Sequence, residues 1–204
     1  MTFRSDIEAE FEGKAFLRPL FYNIPGGLRI ELAESGSSID RFLTAHRKAY
    51  KVCQRIFSGS ESLVVCLRQY CSRESPFSLR RTLKALQDAE VRIPRERELW
   101  MVEEEDSEST SIFAAFSAPV ELLPRLLWCA LSSDFGAIQP RPYCSVYLFN
   151  LSERLLAFPY DDRGMDVVGP NVLALAGIYR DFKRFLLDHD MPEMRRTFES
   201  RYDL

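Results

Sequence analysis

Histidine is nearly missing from these 204 residues: His46 and His189 are the only two. That scarcity leaves little imidazole for a histidine-rich metal centre or a histidine-based catalytic dyad. His46 lies on the helix carrying Phe42 and Ala49, where packing or solvent contact outweighs catalysis. No C-x-x-C pair occurs, and the five cysteines, Cys53, Cys66, Cys71, Cys129 and Cys144, sit mostly inside apolar runs such as LVVCL and LLWCAL. They read as reduced core thiols rather than a disulfide framework or zinc ligands. Neither G-x-G-x-x-G, nor Gly-Lys-Ser/Thr, nor G-x-S-x-G is present, so a phosphate loop and a nucleophile elbow both lack their glycine scaffolding. Pro25-Gly26-Gly27 reads as a turn. No stretch approaches 18 uninterrupted apolar residues, and MTFRSDIEAEF has carboxylates where a secretory leader would carry its apolar segment, so a cytoplasmic protein with no membrane contact is expected. Nor is there an excess of positive charge: 27 Lys+Arg face 30 Asp+Glu. Nucleic acid, whose phosphates demand surplus Lys and Arg, is therefore not an expected partner.

What is present is a chain with 46% hydrophobic residues and a lopsided charge. Residues 1–100 carry a net charge of +4 and residues 101–204 a net of −7. No repeat and no linker-like tract interrupts the chain, so it reads as one globular domain over residues 1–204, large enough to bury a core without disulfide or metal. Leu28, Ile30 and Leu32 alternate with Arg29 and Glu31, the pattern of a half-buried strand with its charges toward water. Strands are also expected over 63–67, 98–104, 111–117, 143–149 and 155–160, with 98–117 forming a hairpin. Helices are expected from Ser37 or Ser38 to about Gly59, over 79–86, over 122–131 with Pro124 in the first turn, and over 172–187, with a short terminal segment over 193–201. The strands cluster without regular helical crossovers. The expected class is thus α+β, a mostly antiparallel sheet of about five or six strands packed with three or four helices.

Two stretches concentrate charge. Asp161, Asp162 and Asp166, with Arg163 between them, could hold a hard cation or share a proton for acid–base work. They could equally form a tight turn, with Gly164 supplying a positive φ and Arg163 compensating the carboxylates. The run Glu103, Glu104, Glu105, Asp106, Ser107, Glu108 is either a solvated loop or a docking surface for a basic partner.

The segment NIPGGLRIEL at 23–32, the stretch DDRGMD at 161–166, and the downstream Tyr179 with LDHD at 187–190 resemble the bacterial family of domain of unknown function 3885. In that family an FYxxPxGLRxEL segment precedes a helix, and a YDDRGxD element precedes a C-terminal helix with a D-x-D-like sequence. This chain departs from the pattern at His189, where the resemblance implies an aromatic residue. No catalytic activity comes with the resemblance.

The reading is a cytoplasmic binding protein without cofactor or metal, of the immunity type, in which acidic Glu103, Glu104, Glu105 and Asp106, with Asp161, Asp162, Arg163 and Asp166, face a protein partner such as a basic toxin domain. The alternative is a metal-dependent hydrolase built on Asp161, Asp162 and Asp166. Nothing in the pattern sets an oligomeric state.

Overall fold

The computed structural model describes residues 2–33, 35–72, 78–104 and 109–199. Among these residues seven strands, β1 (Leu28–Glu31), β2 (Ser62–Ser72), β3 (Glu98–Glu103), β4 (Ser109–Pro119), β5 (Ser145–Asn150), β6 (Leu155–Pro159) and β7 (Gly164–Val168), form one sheet. Their spatial order is β1-β7-β6-β5-β2-β4-β3, and every neighbouring pair is antiparallel. Among the described residues seven α-helices accompany them: α1 (Phe3–Glu10), α2 (Leu20–Asn23), α3 (Ser38–Ile56), α4 (Ser78–Asp88), α5 (Leu123–Leu131), α6 (Val172–Asp181) and α7 (Met191–Phe198). The class is α+β as expected, and the counts exceed the expected five or six strands and three or four helices. The strand not foreseen is β7: its Asp166 interrupts an apolar run that would otherwise have read as a strand, and the preceding carboxylates point to a turn.

Alternation across the pleat divides the strands between two cores. Leu28, Ile30, Val65, Leu67, Val146, Leu148, Met165 and Val167 face a layer built by α3, α5, α6 and α7. Cys66, Phe113, Tyr147, Phe149, Leu156, Phe158 and Val168 face the other way, onto Ile7, Phe11, Ala15, Leu20 and Ile24 of the N-terminal segment. The first 25 residues therefore cover the second face of the sheet. Both faces of β5, β6 and β7 are dry, which is why those strands are almost wholly apolar.

α3 follows its sequence pattern closely. Ser37 caps it by accepting from the Asp40 backbone N–H at 3.2 Å, and Phe42, Ala45, Ala49, Val52, Cys53 and Ile56 form its buried stripe. His46 on the same helix donates from Nε2–H to the Pro124 carbonyl oxygen, 2.8 Å away, tying α3 to α5. Pro124 lies in the first turn of α5, where its missing N–H costs nothing. α4 buries Thr82 and Leu86 and leaves Leu83 exposed. Four of the five cysteines are buried and all are free thiols, and burial pushes Cys53 and Cys129 up to about 12.

α6 stops earlier than its apolar pattern suggests. After a short 3-10 turn over Lys183–Phe185, the chain becomes extended, Leu186 bridges to Ile30, and the Leu187 N–H donates to the Arg29 carbonyl at 2.9 Å. The outer edge of β1 is thereby partly occupied, and Asp190 is delivered to the end of the sheet. Among the described residues no helix is long and apolar enough to cross a membrane.

Candidate functional site

Arg29 and Asp166 are direct cross-strand partners in the β1/β7 ladder, so the pleat puts both side chains on the face covered by the N-terminal segment. Arg29 Nε donates to Asp166 Oδ1 at 3.0 Å. α2 lies over the pair, and its Phe21 N–H donates to Asp166 Oδ2 at 3.2 Å. From the other side comes Asp190, whose Oδ2 accepts from Arg29 Nη1 at 3.1 Å and whose Oδ1 accepts from the Tyr22 hydroxyl at 2.8 Å. The rings of Phe21, Tyr22 and Tyr160 stand 5.0, 4.8 and 5.6 Å from the Arg29 guanidinium carbon, within cation–π range.

This junction is withdrawn from water: the side chains of Arg29, Asp166 and Asp190 retain 12%, 2% and 6% of their exposure. Burial raises the Asp166 carboxyl above the ordinary carboxylate range, and the Arg29 guanidinium and the Phe21 N–H oppose that rise. Burial likewise pushes the Tyr160 phenol up, reinforced by Asp166, so it stays a hydroxyl donor at neutral pH. Arg29, expected on the wet side of β1, is instead the centre of the junction. The alternation correctly separated it from Leu28 and Ile30, but a second layer occupies the side assigned to solvent.

The four charged residues of the 161–166 stretch part company. Asp161 closes the turn itself, its Oδ1 accepting from the backbone N–H groups of Arg163 and Gly164 at 2.8 and 2.9 Å, while Arg163 Nη2 pairs back to its Oδ2 at 2.8 Å. Asp162 pairs with Arg41 of α3, and its own N–H donates to Asp134 at 3.1 Å. Asp166 belongs to Arg29. Three carboxylates thus meet three different guanidinium groups, and among the described residues no group of three or more His, Cys, Asp or Glu is placed to hold a metal ion.

Gly164 plays another part than the positive-φ turn residue expected of it. The glycines with positive φ are Gly13, Gly26, Gly36, Gly59 and Gly169. At Gly164 the constraint is space, because a Cβ there would overlap the Tyr160 phenol. Gly164→Ala is expected to displace Tyr160 and cost about 1–3 kcal/mol, read as a lower urea midpoint. Adding Tyr160→Phe in the same chain should recover part of that loss, and no recovery would mean the hydroxyl is not the obstacle.

The acidic run is also partly engaged. Glu103 is exposed at the end of β3, whereas Glu104 accepts from Arg68 Nη2 at 2.7 Å and from the Ser111 hydroxyl. Glu105 and Asp106 lie outside the described residues.

Beside the junction is a cavity of about 320 Å³ lined by Arg18, Pro19, Leu20, Arg29, Phe158, Tyr160 and Asp166. A second, of about 550 Å³, is lined by Arg68, Tyr143 and Ser145 among others and shares Arg18 and Tyr160 with the first. Sequence reasoning passed over Arg18, Tyr22 and Tyr160 as site residues, and Arg29 as more than a strand charge. The available signal was that Tyr22 and Arg29 fall in the FYxxPxGLRxEL pattern, and Tyr160 in the YDDRGxD pattern, of the family resemblance.

A family model described as Domain of unknown function (DUF3885) matches residues 3–190. No curated protein and no solved structure matches the chain. The matched span contains every residue of the Arg29 junction, from Phe21 to Asp190.

Proposed function

We propose, for a chain that belongs to the DUF3885 family, a non-catalytic role: it binds a basic polypeptide through the open acidic edge of its sheet, in the manner of an immunity-type protein that masks a basic toxin domain. The observation that carries this reading is β3 itself. It ends the strand order, and among the described residues no strand pairs with its outer side. An edge strand presents unpaired N–H and C=O groups to any extended segment that can lie against it. Leu99, Met101 and Glu103 follow one another along one face of β3, with Leu99 57% and Met101 70% exposed. Apolar contact and negative charge are therefore adjacent, and Glu103 leads directly into the rest of the acidic run.

A basic partner suits this edge because a cationic side chain laid beside the exposed Glu103 would complement its charge, and opposite charges placed opposite stabilise a ladder. Electrostatic attraction between exposed charges also falls as salt shortens its range to roughly 8 Å at physiological ionic strength.

The test begins with a tagged pull-down from the source cells at low and then high salt. Affinity is next measured between the purified basic protein it retains and two variants, Glu103→Lys with Glu105→Lys and Asp106→Lys, and Met101→Lys. Glu104 is left intact because it holds Arg68. Both variants are expected to bind at least tenfold more weakly at low salt, with a shallower salt dependence for the charge reversal. Unchanged affinity in both variants would end the edge-docking reading.

A further inference from the structure

Arg18 is a cation held in place without a counter-charge. Its Nε donates to the Tyr147 hydroxyl at 3.2 Å and its Nη2 donates to the Ser145 hydroxyl. Its guanidinium carbon lies 4.5 Å from the centre of the Phe158 ring and 5.8 Å from that of Tyr147. Among the described residues no carboxylate pairs with it, whereas Arg41 and Arg68 each have one and Arg29 has two. A free surface arginine samples many rotamers, but two hydrogen bonds to neutral acceptors and a stacked ring select one. Nε–H and one Nη2–H are spent, so three of the five N–H donors remain, grouped at the Nη1/Nη2 edge, where a guanidinium grips an anion bidentately.

Arg18 lines both cavities. The smaller is lined by Phe158, Tyr160, Pro19 and Leu20; Phe158 is buried and stacked on Tyr147, so Pro19 and Tyr160 supply the apolar surface open to a planar ring. The larger offers Ser133, Ser145 and Tyr143 hydroxyls together with Arg68. A tetrahedral anion with several acceptor oxygens can use such a set more fully than a carboxylate can.

We infer that the two cavities form one binding site for a planar aromatic ring carrying a phosphate, with the ring against Pro19 and Tyr160 and the phosphate on the free edge of Arg18. The site does not rest on the docking proposed at the β3 edge, although Arg68 of the larger cavity pairs with Glu104, the residue that follows β3. Tyr160 joins it to the Arg29 junction, since one phenol forms both the common wall of the cavities and a ring over Arg29.

Adenosine 5′-monophosphate is the probe, titrated by calorimetry into the full chain, with adenosine, ribose 5-phosphate and inorganic phosphate as its parts. The nucleotide is expected to bind at least tenfold more tightly than any part. Arg18→Gln should remove that advantage while leaving adenosine binding in place, and Arg18→Lys should restore only a fraction, because an ammonium lacks the planar fork. Circular dichroism and the urea midpoint of each variant establish that it is folded. Nucleotide binding no tighter than that of adenosine, or unchanged in Arg18→Gln, overturns the phosphate site, and ribose 5-phosphate binding as well as the nucleotide overturns the ring site. These readings on the wild-type chain need no variant to fold.

Discussion

Arg29→Met is expected to cost about 3–5 kcal/mol of stability, because it leaves two carboxylates, Asp166 and Asp190, without the cation that compensates them. Methionine keeps much of the arginine stem and its contact with Phe21 and Tyr22, so the loss reports charge more than volume. The pH dependence separates this cause from a cavity. Burial already raises Asp166 above its ordinary range, so between its ordinary and folded pKa the folded chain holds more protons than the unfolded one, and stability falls as pH rises through that window. Removing Arg29 takes away an effect that lowers the Asp166 pKa and extends the window upward. The deficit of the variant should therefore be greatest near neutrality and shrink on acidification into the carboxyl range. Urea midpoints measured from pH 7 down to pH 4 check this, and a deficit independent of pH would mean that the junction is held by packing alone.

Phe16→Ala is expected to cost about 3 kcal/mol, since the Phe16 ring meets four others: Trp100, Phe113, Tyr147 and Phe149, at centroid distances of 6.0, 5.0, 5.0 and 6.1 Å. Three of these contacts are edge-on, the geometry aromatic pairs favour. Phe16 is the link by which the N-terminal segment is fastened to β3, β4 and β5 at once. Its removal should lower the urea midpoint and bring forward hydrogen exchange in α1 relative to α3. Phe16→Leu should recover part of the loss through volume. A cost below about 1 kcal/mol for Phe16→Ala would show that the segment rests on the sheet without holding it.

The two variants bear on one architectural fact, that the second face of the sheet is a core. Had that face been wet, Arg29 would be an ordinary strand charge and Phe16 an exposed ring. The sequence contains the materials for this core in the alternate positions of β5, β6 and β7, where apolar residues occupy both faces. A lead-in of 25 residues rich in turns does not announce that it will lie across those strands, because only its spacing of Ile7, Phe11, Ala15 and Leu20 against a distant sheet gives it that role.

Periodicity along the chain determined α3, the Pro124 start of α5, the β3/β4 hairpin and the antiparallel α+β class, because each depends on neighbours a few residues apart. The two family-like segments were also legible as the distinctive parts of the chain. Only the tertiary structure decided what they do. Arg29, Asp166 and Asp190 are separated by more than a hundred residues of sequence between the first and second, yet a ladder register and an early end to α6 bring them to a common point. The same register that joins Asp166 to Arg29 directs Asp161 and Asp162 elsewhere, since adjacent positions in a turn and strand face different ways. A charge shows in the sequence, but its partner is set by register and by the layer packed above it, and those are properties of the folded sheet.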